Sequence, residues 1–305
     1  MTGPAPRLDL KIGFSCNNRC RFCVQGDKRK TAATPALGSL LAELESSRST
    51  AAGVVFTGGE PTLRPDLVDL VTRARELGYS PIQIQSNGRM FASRAYCDRL
   101  IEAGATEFSP ALHGHVAALH DHLTRAPGSF AQTVAGIRNL RALGMPVVTN
   151  SVVVRSNAPT LPRLARLLLA LDVTQFQLAF VHPVGAVTAA FTSLVPRMEL
   201  IAPALARSLR LGLAARVPAM TEAVPYCILP GLEECVVEAR IPPTRVVDAG
   251  VTVEDYREYR LREGKLKGPA CRDCRWFDAC EGPWREYPER YGFGEFQPVA
   301  RGETG

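Results

Sequence analysis

The segment CNNRCRFC, residues 16–23, has the spacing CxxxCxxC and directly follows the apolar run 8–14, which predicts a β-strand. Three thiolates at this spacing, those of Cys16, Cys20 and Cys23, can surround one iron–sulfur cube and leave its fourth iron without a protein ligand. Such an iron can bind a second molecule, whereas a cube that only transfers electrons needs four protein ligands. The segment therefore predicts a reactive cluster at the end of a strand.

With Phe22 between the second and third cysteines, the segment resembles the signature loop of the radical S-adenosylmethionine (SAM) superfamily, CxxxCx(aromatic)C. The resemblance implies that the three cysteines hold a [4Fe-4S] cluster, that the open iron chelates the amino and carboxylate groups of SAM, and that one electron cleaves SAM to a 5'-deoxyadenosyl radical. It also implies that Phe22 lies at the cofactor and that an electron donor such as flavodoxin or ferredoxin serves the cluster. The alternative for these cysteines is a zinc knuckle or a set of buried core thiols.

The composition is that of a globular chain, because 46% of its 305 residues are apolar and 22% are charged. This length fits one large domain with a small appendage. No apolar run approaches the roughly 18 residues of a membrane span, and the N-terminus has no signal-peptide pattern. We therefore expect a cytoplasmic protein without a membrane partner. The net charge of +6 comes from scattered arginines and does not favour nucleic-acid binding.

Strand-like runs alternate with amphipathic stretches of helical length. The predicted strands are 8–14, 53–57, 81–86, 106–112, 147–154 and 174–181. The predicted helices are 35–48, 65–77, 91–103, 128–143, 159–171 and 196–211. This alternation calls for a parallel sheet covered by helices. We predict an α/β fold, a partial (β/α)6 TIM-type barrel over residues 1–211 with a small cysteine-rich C-terminal module over residues 212–305, and the family resemblance implies the same barrel.

Reactive groups in parallel barrels gather at the C-terminal ends of the strands, and the next motif lies at such an end. Gly58, Gly59 and Glu60 follow the second predicted strand and precede a proline. Two glycines let the backbone approach a ligand closely. The segment resembles the GGEP motif of the superfamily, which implies that it receives the amino group of SAM.

Polar residues on two further strands are candidates for SAM binding. Ser86 and Asn87, at the end of the third strand, match positions that hydrogen-bond SAM in the peptide-modifying and cofactor-building branches of the family. Asn150 and Ser151, in the fifth strand, are placed to reach the ribose hydroxyls. Both pairs can instead be strand-end caps. Arg155 is either a partner of the SAM carboxylate or a solvated surface residue.

Histidines follow the fourth and sixth predicted strands. The segment 113–130, which contains His120-Asp121 and ends in Gly-Ser-Phe, resembles the HD…GSF segment of the superfamily. We expect His120 and Asp121 to organise this loop and to start the next helix. The order of the histidines fits no standard zinc spacing. His113 and His182 lie just past strand ends and are the candidates for substrate contact, although His182, which precedes a proline, equally fits a structural role.

A second cysteine group follows the predicted barrel. Nine cysteines without a secretion signal argue for metal ligation rather than disulfides, because thiols stay reduced in the cytosol. Cys271, Cys274 and Cys280 have the spacing CxxCx5C, and either Cys227 or Cys235 can supply a fourth thiolate. Four thiolates complete a zinc site or an iron–sulfur cube equally well.

This second group resembles the twitch module, or a reduced SPASM domain, that follows the barrel in many radical SAM enzymes. The resemblance implies one auxiliary [4Fe-4S] cluster. We favour Cys227 as the fourth ligand because it precedes a Pro-Gly turn. Cys235 lies in a helix-like context that is typical of a plain buried thiol.

Together these motifs predict a radical SAM oxidoreductase or modifying enzyme that abstracts hydrogen from an unactivated C–H bond of a small-molecule or peptide substrate, with net oxidation. In this hypothesis the auxiliary cluster takes an electron from the substrate radical or anchors the substrate. A first alternative is a maturase that forms a crosslink or thioether in a ribosomal peptide. The others are an iron–sulfur or zinc scaffold without turnover and an RNA-modifying enzyme, against which the lack of an RNA-binding appendage counts.

Overall fold

The computed structural model describes residues 5–300. Its strands are β1 Arg7–Lys11, β2 Gly53–Thr57, β3 Ile82–Ser86, β4 Glu107–Pro110, β5 Val148–Val153, β6 Gln175–Phe180, β7 Ala219–Glu222, β8 Thr244–Asp248 and β9 Val251–Val253. Its α-helices are α1 Lys28–Thr31, α2 Leu37–Ser47, α3 Leu67–Glu76, α4 Arg94–Ala103, α5 Ala117–Thr124, α6 Ser129–Ala142, α7 Leu161–Ala170, α8 Phe191–Leu194, α9 Met198–Ala214, α10 Tyr256–Tyr259 and α11 Glu286–Tyr291. No helix in this part of the chain has the length and apolarity that a bilayer span requires.

The strands form a nearly continuous, mostly parallel sheet. Its first part has the order β4-β3-β2-β1-β8-β9 and its second part the order β5-β6-β7. Two parallel bridges, Phe108 to Val147 and Ala111 to Asn150, join β4 to β5. Only the pair β8 and β9 is antiparallel among the ladders of residues 5–300. Because a helix lies between each consecutive pair of strands from β1 to β7, the predicted α/β partial barrel is confirmed.

Three strands of this sheet were not predicted. β7 pairs with β6 and β8 pairs with β1, both in parallel, and β9 pairs with β8 in antiparallel. The sequence of β7, AMTE, is only 4 residues long, and β8 lies in a region rich in prolines and charges, so neither shows a clear strand pattern. The division of the chain between residues 211 and 212 stays a prediction, and β7 and β8 lie on its C-terminal side although they belong to the barrel sheet.

Alternation along the strands gives the barrel an apolar outer face and a polar inner face. In β3, Ile82 and Ile84 are buried in the hydrophobic core, whereas Gln83 and Gln85 face the inside of the barrel. Asp9 of β1 faces the same way. This period of two is the geometry of a strand with differently covered faces. The inner residues surround a polar cavity of about 410 Å³, here called the inner cavity.

Aromatic side chains attach the C-terminal segment to the barrel. Tyr287 of α11 is fully buried, and its ring meets that of Phe180 in β6 with centroids 5.5 Å apart. The Tyr287 hydroxyl accepts a hydrogen bond from the N–H of Met198 at 2.8 Å and donates one to Glu295 at 2.5 Å. The segment is therefore packed against β6 and the start of α9.

Candidate active site at the cysteine loop

All three cysteines of the segment 16–23, the cysteine loop, reach one cavity at the C-terminal ends of the first strands. This cysteine cavity has a volume of about 250 Å³. It is lined by Cys16, Asn18, Cys20, Phe22, Cys23, Val24, Gln25, Arg29, Thr57, Gly58, Gly59, Gln85, Ser86, Asn87, Ala111, His113 and Val152. The three thiols are free and half-buried. Predicted site residues from distant parts of the sequence therefore meet here.

Arg29 holds the backbone of the cysteine loop. Its Nη2 donates hydrogen bonds to the carbonyl oxygens of Cys16 at 3.1 Å and Asn18 at 2.5 Å. The N–H of Asn18 donates in turn to the Cys16 sulfur at 3.4 Å, a contact that favours the thiolate form. This role was not predicted, because Arg29 lies in a run of basic residues without a recognisable motif.

Burial controls the ionisation of these thiols. Burial, and then the neighbouring thiols of Cys16 and Cys23, raise the pKa of Cys20 to about 12. Burial also raises the pKa of Cys16, against the hydrogen bond from Asn18. Cys16 and Cys20 are therefore protonated at neutral pH. They release their protons when a cationic centre binds, because the thiolate and not the thiol is the metal ligand. Three cysteine side chains around one cavity fit an iron–sulfur cube.

The two glycines of the GGEP segment seat the cysteine loop on the end of β2. The N–H of Gly59 donates to the carbonyl oxygen of Gly13, and the N–H of Glu60 to that of Ser15, each at 2.8 Å. A Cβ atom on Gly59 would lie 2.5 Å from the Ser15 carbonyl oxygen. Gly58 has a φ of +136°, which residues with side chains rarely adopt. The close packing of the cysteine loop against β2 therefore requires glycine at both positions. Both glycines also line the cysteine cavity.

The carboxylate of Glu60 is buried and does not line the cysteine cavity, and its contact with the cofactor stays a prediction. Its Oε1 accepts hydrogen bonds from the hydroxyls of Thr62 at 2.5 Å and Ser86 at 2.7 Å, and its Oε2 accepts one from the N–H of Asn87 at 2.6 Å. Burial raises the pKa of this carboxyl, although these hydrogen bonds oppose the rise. Glu60 therefore fixes the end of β3 against the GGEP segment.

Ser86 and Asn87 line the cysteine cavity and also cap their strand. The Ser86 hydroxyl accepts a hydrogen bond from the N–H of Gly88 at 2.9 Å. The Asn87 amide donates to the side-chain oxygen of Asn17 at 2.6 Å, and its own oxygen accepts from the N–H of Arg89 at 3.0 Å. These contacts thus agree with a role of both residues as strand-end caps. Contact with SAM stays a prediction for both residues.

Strand β5 presents Val152 to the cysteine cavity instead of the predicted Asn150 and Ser151. Ser151 points to the opposite face of the sheet, where its hydroxyl donates to the carbonyl oxygen of Leu112 at 2.6 Å. Asn150 points inward but lies two residues before Val152, about 6.6 Å further from the strand end. It lines the inner cavity instead. Contact with the ribose of SAM stays a prediction for both residues.

Two further predicted residues lie at the junction with the C-terminal segment. Arg155 donates a hydrogen bond to the hydroxyl of Tyr291 at 3.2 Å, and it is absent from the cavity lining. His182 stacks on Trp284 with ring centroids 3.8 Å apart, and its Nε2 lies 3.6 Å from a carboxylate oxygen of Glu286. The contacts of His182 therefore fit its structural interpretation. Arg155 is held by Val195 and Tyr291, and its contact with the SAM carboxylate stays a prediction.

His113 lines the cysteine cavity as a neutral imidazole. Its Nδ1 accepts a hydrogen bond from the N–H of Val152 at 3.1 Å, and its ring meets that of Phe22 edge-on at 4.7 Å. Burial, and then His120, lower the pKa of His113 to about 3. Because Nδ1 is the acceptor, the ring proton lies on Nε2. His113 can therefore donate one hydrogen bond to a bound molecule without carrying a charge.

Asp121 starts helix α6, as predicted. Its carboxylate accepts hydrogen bonds from the N–H groups of Gly128 at 2.7 Å and Phe130 at 2.8 Å and from the hydroxyl of Ser129 at 2.9 Å. These bonds satisfy donors at the helix start that have no partner within the helix. The preceding residue His120 accepts a hydrogen bond from the N–H of His113 at 3.1 Å, so the pair orders the loop after β4.

Replacing Asp121 by alanine is expected to destabilise the protein by about 0.5–2 kcal/mol near pH 7, the usual loss for a helix cap. Partial burial opposes ionisation, but the hydrogen bonds from Phe130, Gly128 and Ser129 outweigh it and hold the pKa of Asp121 below its ordinary value of 3.8. The stabilisation is therefore complete above pH 3.8 and disappears as the pH falls through the lower folded-state pKa. Urea unfolding across this range measures the effect.

The control for Asp121 is Asp98→Ala, a change at an exposed carboxylate on α4 that lies 3.6 Å from Arg94. Because exposed ion pairs contribute little, this change is expected to cost no more than about 0.5 kcal/mol. An Asp121→Ala loss that equals the control near pH 7, or that persists unchanged well below pH 3.8, would contradict the capping role.

Four of the C-terminal cysteines share one cavity. Cys227, Cys271, Cys274 and Cys280 line it, whereas Cys235 does not. Burial, and then the thiols of Cys280, Cys271 and Cys274, raise the pKa of Cys227 to about 12. The other three thiols are thus close enough to influence the ionisation of Cys227. Between residues 5 and 300, no group of three or more Cys, His, Asp or Glu side chains is arranged to hold a single metal ion.

The fold and the cysteine cavity together define a SAM-dependent iron–sulfur enzyme built on a partial barrel. The chain belongs to the radical SAM superfamily, whose family model matches residues 10–171. It is therefore an enzyme, and membership implies SAM and a [4Fe-4S] cluster as cofactors.

The curated relatives match part of the chain. The "Probable GTP 3',8-cyclase" of Saccharolobus islandicus (strain Y.N.15.51 / Yellowstone #2) is 31% identical over 184 residues, which is 59% of this chain and 59% of that protein. The "AdoMet-dependent heme synthase" of Oleidesulfovibrio alaskensis is 29% identical over 189 residues, which is 60% of this chain and 47% of that protein. The chain therefore spans at most 59% of the length of these relatives.

Solved structures share the fold at low sequence identity. SuiB of Streptococcus suis bound to S-adenosylmethionine has a TM-score of 0.69 and 14% identity, over 91% of this chain and 72% of that chain. SuiB bound to its precursor peptide SuiA has a TM-score of 0.68 and 14% identity, over 93% and 72%. The coproporphyrinogen III oxidase HemN of Escherichia coli has a TM-score of 0.52 and 14% identity, over 83% and 62%. These likenesses establish the fold alone.

Apart from Arg29, several residues that sequence reasoning missed lie on the inner faces of the strands. Thr57, Gln85 and Val152 line the cysteine cavity, and Asp9 and Glu222 line the inner cavity. Their signal was the alternation in strands such as IQIQS, where polar residues occupy every second position. In a barrel that face points inward, whereas in an open sheet it would face solvent.

Proposed function

We propose that this chain is a radical SAM oxidoreductase that abstracts a hydrogen atom from an unactivated C–H bond of a hydrophilic small molecule or peptide bound inside the barrel. The observation that carries this proposal is the position of Gln85, which lines both the cysteine cavity and the inner cavity. The place for SAM thus adjoins a place for a substrate. Bound SAM and its cluster supply the radical, and the protein supplies binding, orientation and exclusion of water.

The residues of the cysteine cavity have separate tasks in this proposal. Cys16, Cys20 and Cys23 hold the cluster as thiolates. Gly59 fixes the distance between the cysteine loop and the end of β2, because any side chain there would push the loop away. His113 offers its Nε2–H as a neutral donor, so that it orients a bound molecule without repelling the positive sulfonium of SAM.

The inner cavity suits a molecule with hydroxyl, amide or amino groups. The Oδ1 atoms of Asp9 and Asn150 are buried and have no hydrogen-bond partner within residues 5–300. Glu222, at the end of β7, accepts a hydrogen bond from the amide of Gln177 at 2.7 Å. Burial raises the pKa of both Asp9 and Glu222. Buried acceptors without partners are costly, so we infer that a substrate with hydrogen-bond donors satisfies them.

A maturase that forms a crosslink or thioether in a ribosomal peptide is the second candidate. It is favoured by the fold likeness to SuiB bound to its precursor peptide, which extends over 93% of this chain. The names of the curated relatives refer instead to GTP and heme. Both candidates use the same two cavities and differ only in the molecule that enters the barrel.

Anaerobic reconstitution with iron and sulfide, followed by incubation with SAM and a strong reductant, tests the proposed function. We expect methionine and 5'-deoxyadenosine in equal amounts, measured by liquid chromatography and mass spectrometry. A variant with Cys16, Cys20 and Cys23 replaced by alanine should form neither product. Absence of 5'-deoxyadenosine from the reconstituted native protein under every reductant would overturn the proposal.

We also propose that Cys227, Cys271, Cys274 and Cys280 hold an auxiliary [4Fe-4S] cluster. The support is their shared cavity, from which Cys235 is absent.

We further propose that the protein is located in the cytoplasm, because its cysteines are free and thiols stay reduced there.

A chain of contacts connects the inner cavity with this second cysteine group. Tyr256 lines the inner cavity, and the guanidinium of Arg260 lies 5.0 Å from its ring centroid. Arg260 forms a buried ion pair with Glu281 at 2.7 Å, and Glu281 directly follows Cys280. This arrangement supports transfer of an electron from a substrate radical to the auxiliary cluster.

The double variant Cys271→Ala, Cys274→Ala is expected to lose about half of its iron and to keep SAM cleavage. Two cubes correspond to about eight iron atoms per chain, and loss of the auxiliary cluster leaves about four. Iron and sulfide quantification together with 5'-deoxyadenosine formation measures both effects. Cys235→Ala is the matched control, since this buried thiol lies outside the cavity, and it should keep all of its iron. Full iron content in the double variant would refute the auxiliary cluster.

A further inference from the structure

The cysteine loop has a second, larger opening on its solvent side. This outer cavity of about 890 Å³ is lined by all three cysteines of the loop, as is the cysteine cavity. Its other walls are different, because they carry Arg19, Lys30 and Arg125 in place of the polar strand ends. The cysteines therefore line two cavities, and exposed charged residues border the outer one.

The outer cavity is strongly cationic. Arg19, Lys30 and Arg125 are exposed, and none forms an ion pair within the described part of the chain, residues 5–300. Arg29 also lines it but is used to hold the cysteine loop. Asp27 is the acidic residue of the lining. Three cations without partners thus surround the exposed side of the cysteines, and we call them the cationic collar.

Small residues form the wall of the outer cavity nearest to Cys23. Gly185, Ala186 and Ala189 line it, and the N–H of Ala186 donates to the carbonyl oxygen of Cys23 at 3.0 Å. Gly185 has a φ of +60°, and a Cβ atom there would lie 2.7 Å from the same carbonyl oxygen. This wall therefore stays free of bulky side chains, so a second protein can approach the cysteines closely.

We propose that the cationic collar is the docking surface for an acidic one-electron carrier protein of the flavodoxin or ferredoxin type. This inference rests on the proposed function, because each SAM cleaved requires one electron from outside. A cluster held by Cys16, Cys20 and Cys23 would take that electron from the carrier and supply it to bound SAM. The sulfur–carbon bond of SAM would then break to give methionine and a 5'-deoxyadenosyl radical, without transfer of a proton. Opposite charges accelerate such encounters and select the partner.

The test compares two variants that change the net charge equally. The collar variant carries Lys30→Glu and Arg125→Asn, where asparagine suits the positive φ of 50° at position 125, and it leaves Arg19 unchanged because that residue lies inside the cysteine loop. The control carries Arg207→Glu and Arg210→Gln, changes at exposed arginines on α9. Binding of a fluorescently labelled acidic flavodoxin is measured by anisotropy at about 50 mM and about 300 mM salt. A labelled acidic ferredoxin is titrated in parallel.

We expect the collar variant to bind at least one of the two carriers about tenfold or more weakly at low salt, and the control to stay within about twofold of the native protein. Native affinity should fall at high salt, because the attraction is screened. Equal affinity of all three proteins for both carriers would overturn the docking surface. This measurement needs no SAM cleavage, so it is independent of the proposed function.

Activity provides the second measurement. With reduced carrier protein as donor, the collar variant should form 5'-deoxyadenosine about tenfold or more slowly, whereas with reduced methyl viologen, a small cation that needs no docking surface, it should match the native protein. An equal loss with both donors would overturn the docking role. Absence of product from the native protein with methyl viologen would instead refute the proposed function. The binding measurement alone would then test whether the cationic collar is a docking surface.

Discussion

Gly59→Ala is expected to slow SAM cleavage by about 100-fold. The added methyl group would lie 2.5 Å from the carbonyl oxygen of Ser15 and 2.6 Å from the carbonyl carbon of Phe14, so the cysteine loop must move by roughly 1 Å. That shift lengthens the 2.8 Å hydrogen bond from Gly59 to Gly13 and moves Cys16 relative to the strand ends. A displacement of about 1 Å costs on the order of 10²-fold in rate when reacting groups must be aligned. The rate of 5'-deoxyadenosine formation with excess methyl viologen measures the effect.

Gly38→Ala is the matched control for this substitution. A Cβ atom on Gly38 would meet no atom within 4 Å, and the residue lies inside helix α2. Alanine is the better helix former by about 0.5–1 kcal/mol, so this variant should be slightly more stable and keep its rate of SAM cleavage. The second cysteine group lies elsewhere and should keep its iron in both variants. A native rate in Gly59→Ala would show that the cysteine loop is not seated through this glycine.

The cysteine loop and the GGEP segment could be located from the sequence because each is a local pattern next to a recognisable strand. The function of Glu60 could not be read in the same way. Its hydroxyl partner Ser86 is 26 residues further along the chain, and the two meet only because β2 and β3 are neighbours in the sheet. A residue that binds its own chain and one that binds a cofactor have the same sequence signature at a strand end.

The direction of side chains in β5 was a second limit. Asn150 and Ser151 are adjacent, so they must point to opposite faces of the sheet, and only one of them can face the inside of the barrel. The sequence VVTNSVVV does not show which, because apolar residues flank both. The sequence also does not show how far a residue lies from the end of its strand. This distance decides whether Asn150 lies beside the cysteines or in the inner cavity.

The polar interior of the partial barrel can be recognised only from the curvature of the folded sheet. Gln83, Gln85 and Gln177 would be ordinary solvent-facing residues in an open sheet. Curved into a barrel, the same side chains line a cavity of about 410 Å³ between the cysteine cavity and the C-terminal segment. The short strand β7 adds Glu222 to this wall, and β8 continues the sheet beyond β1. The polar lining of this cavity was therefore encoded in the alternation, but it could be recognised only once the topology was known.

Arg260→Met is expected to destabilise the protein by about 3–5 kcal/mol, the usual loss when one partner of a buried ion pair is removed. The side chains of Arg260 and Glu281 are only 1% and 4% exposed. The guanidinium donates two parallel hydrogen bonds to the carboxylate, from Nε at 2.8 Å and from Nη2 at 2.7 Å. Methionine fills a similar volume but leaves the Glu281 carboxylate buried without a partner. Urea unfolding of the anaerobic protein measures the loss.

Two comparisons separate the buried charge from other effects of this substitution. Arg262→Met removes a neighbouring arginine that is 75% exposed and pairs with Glu258 at 2.7 Å, so it should cost no more than about 0.5 kcal/mol. The double variant Arg260→Met, Glu281→Leu removes both charges and should recover most of the stability, because no uncompensated charge remains. If Arg260→Met cost no more than Arg262→Met, the pair would not hold the C-terminal segment. Since Glu281 directly follows Cys280, the single variant should also lose iron from the second cysteine group, whereas Arg262→Met should not.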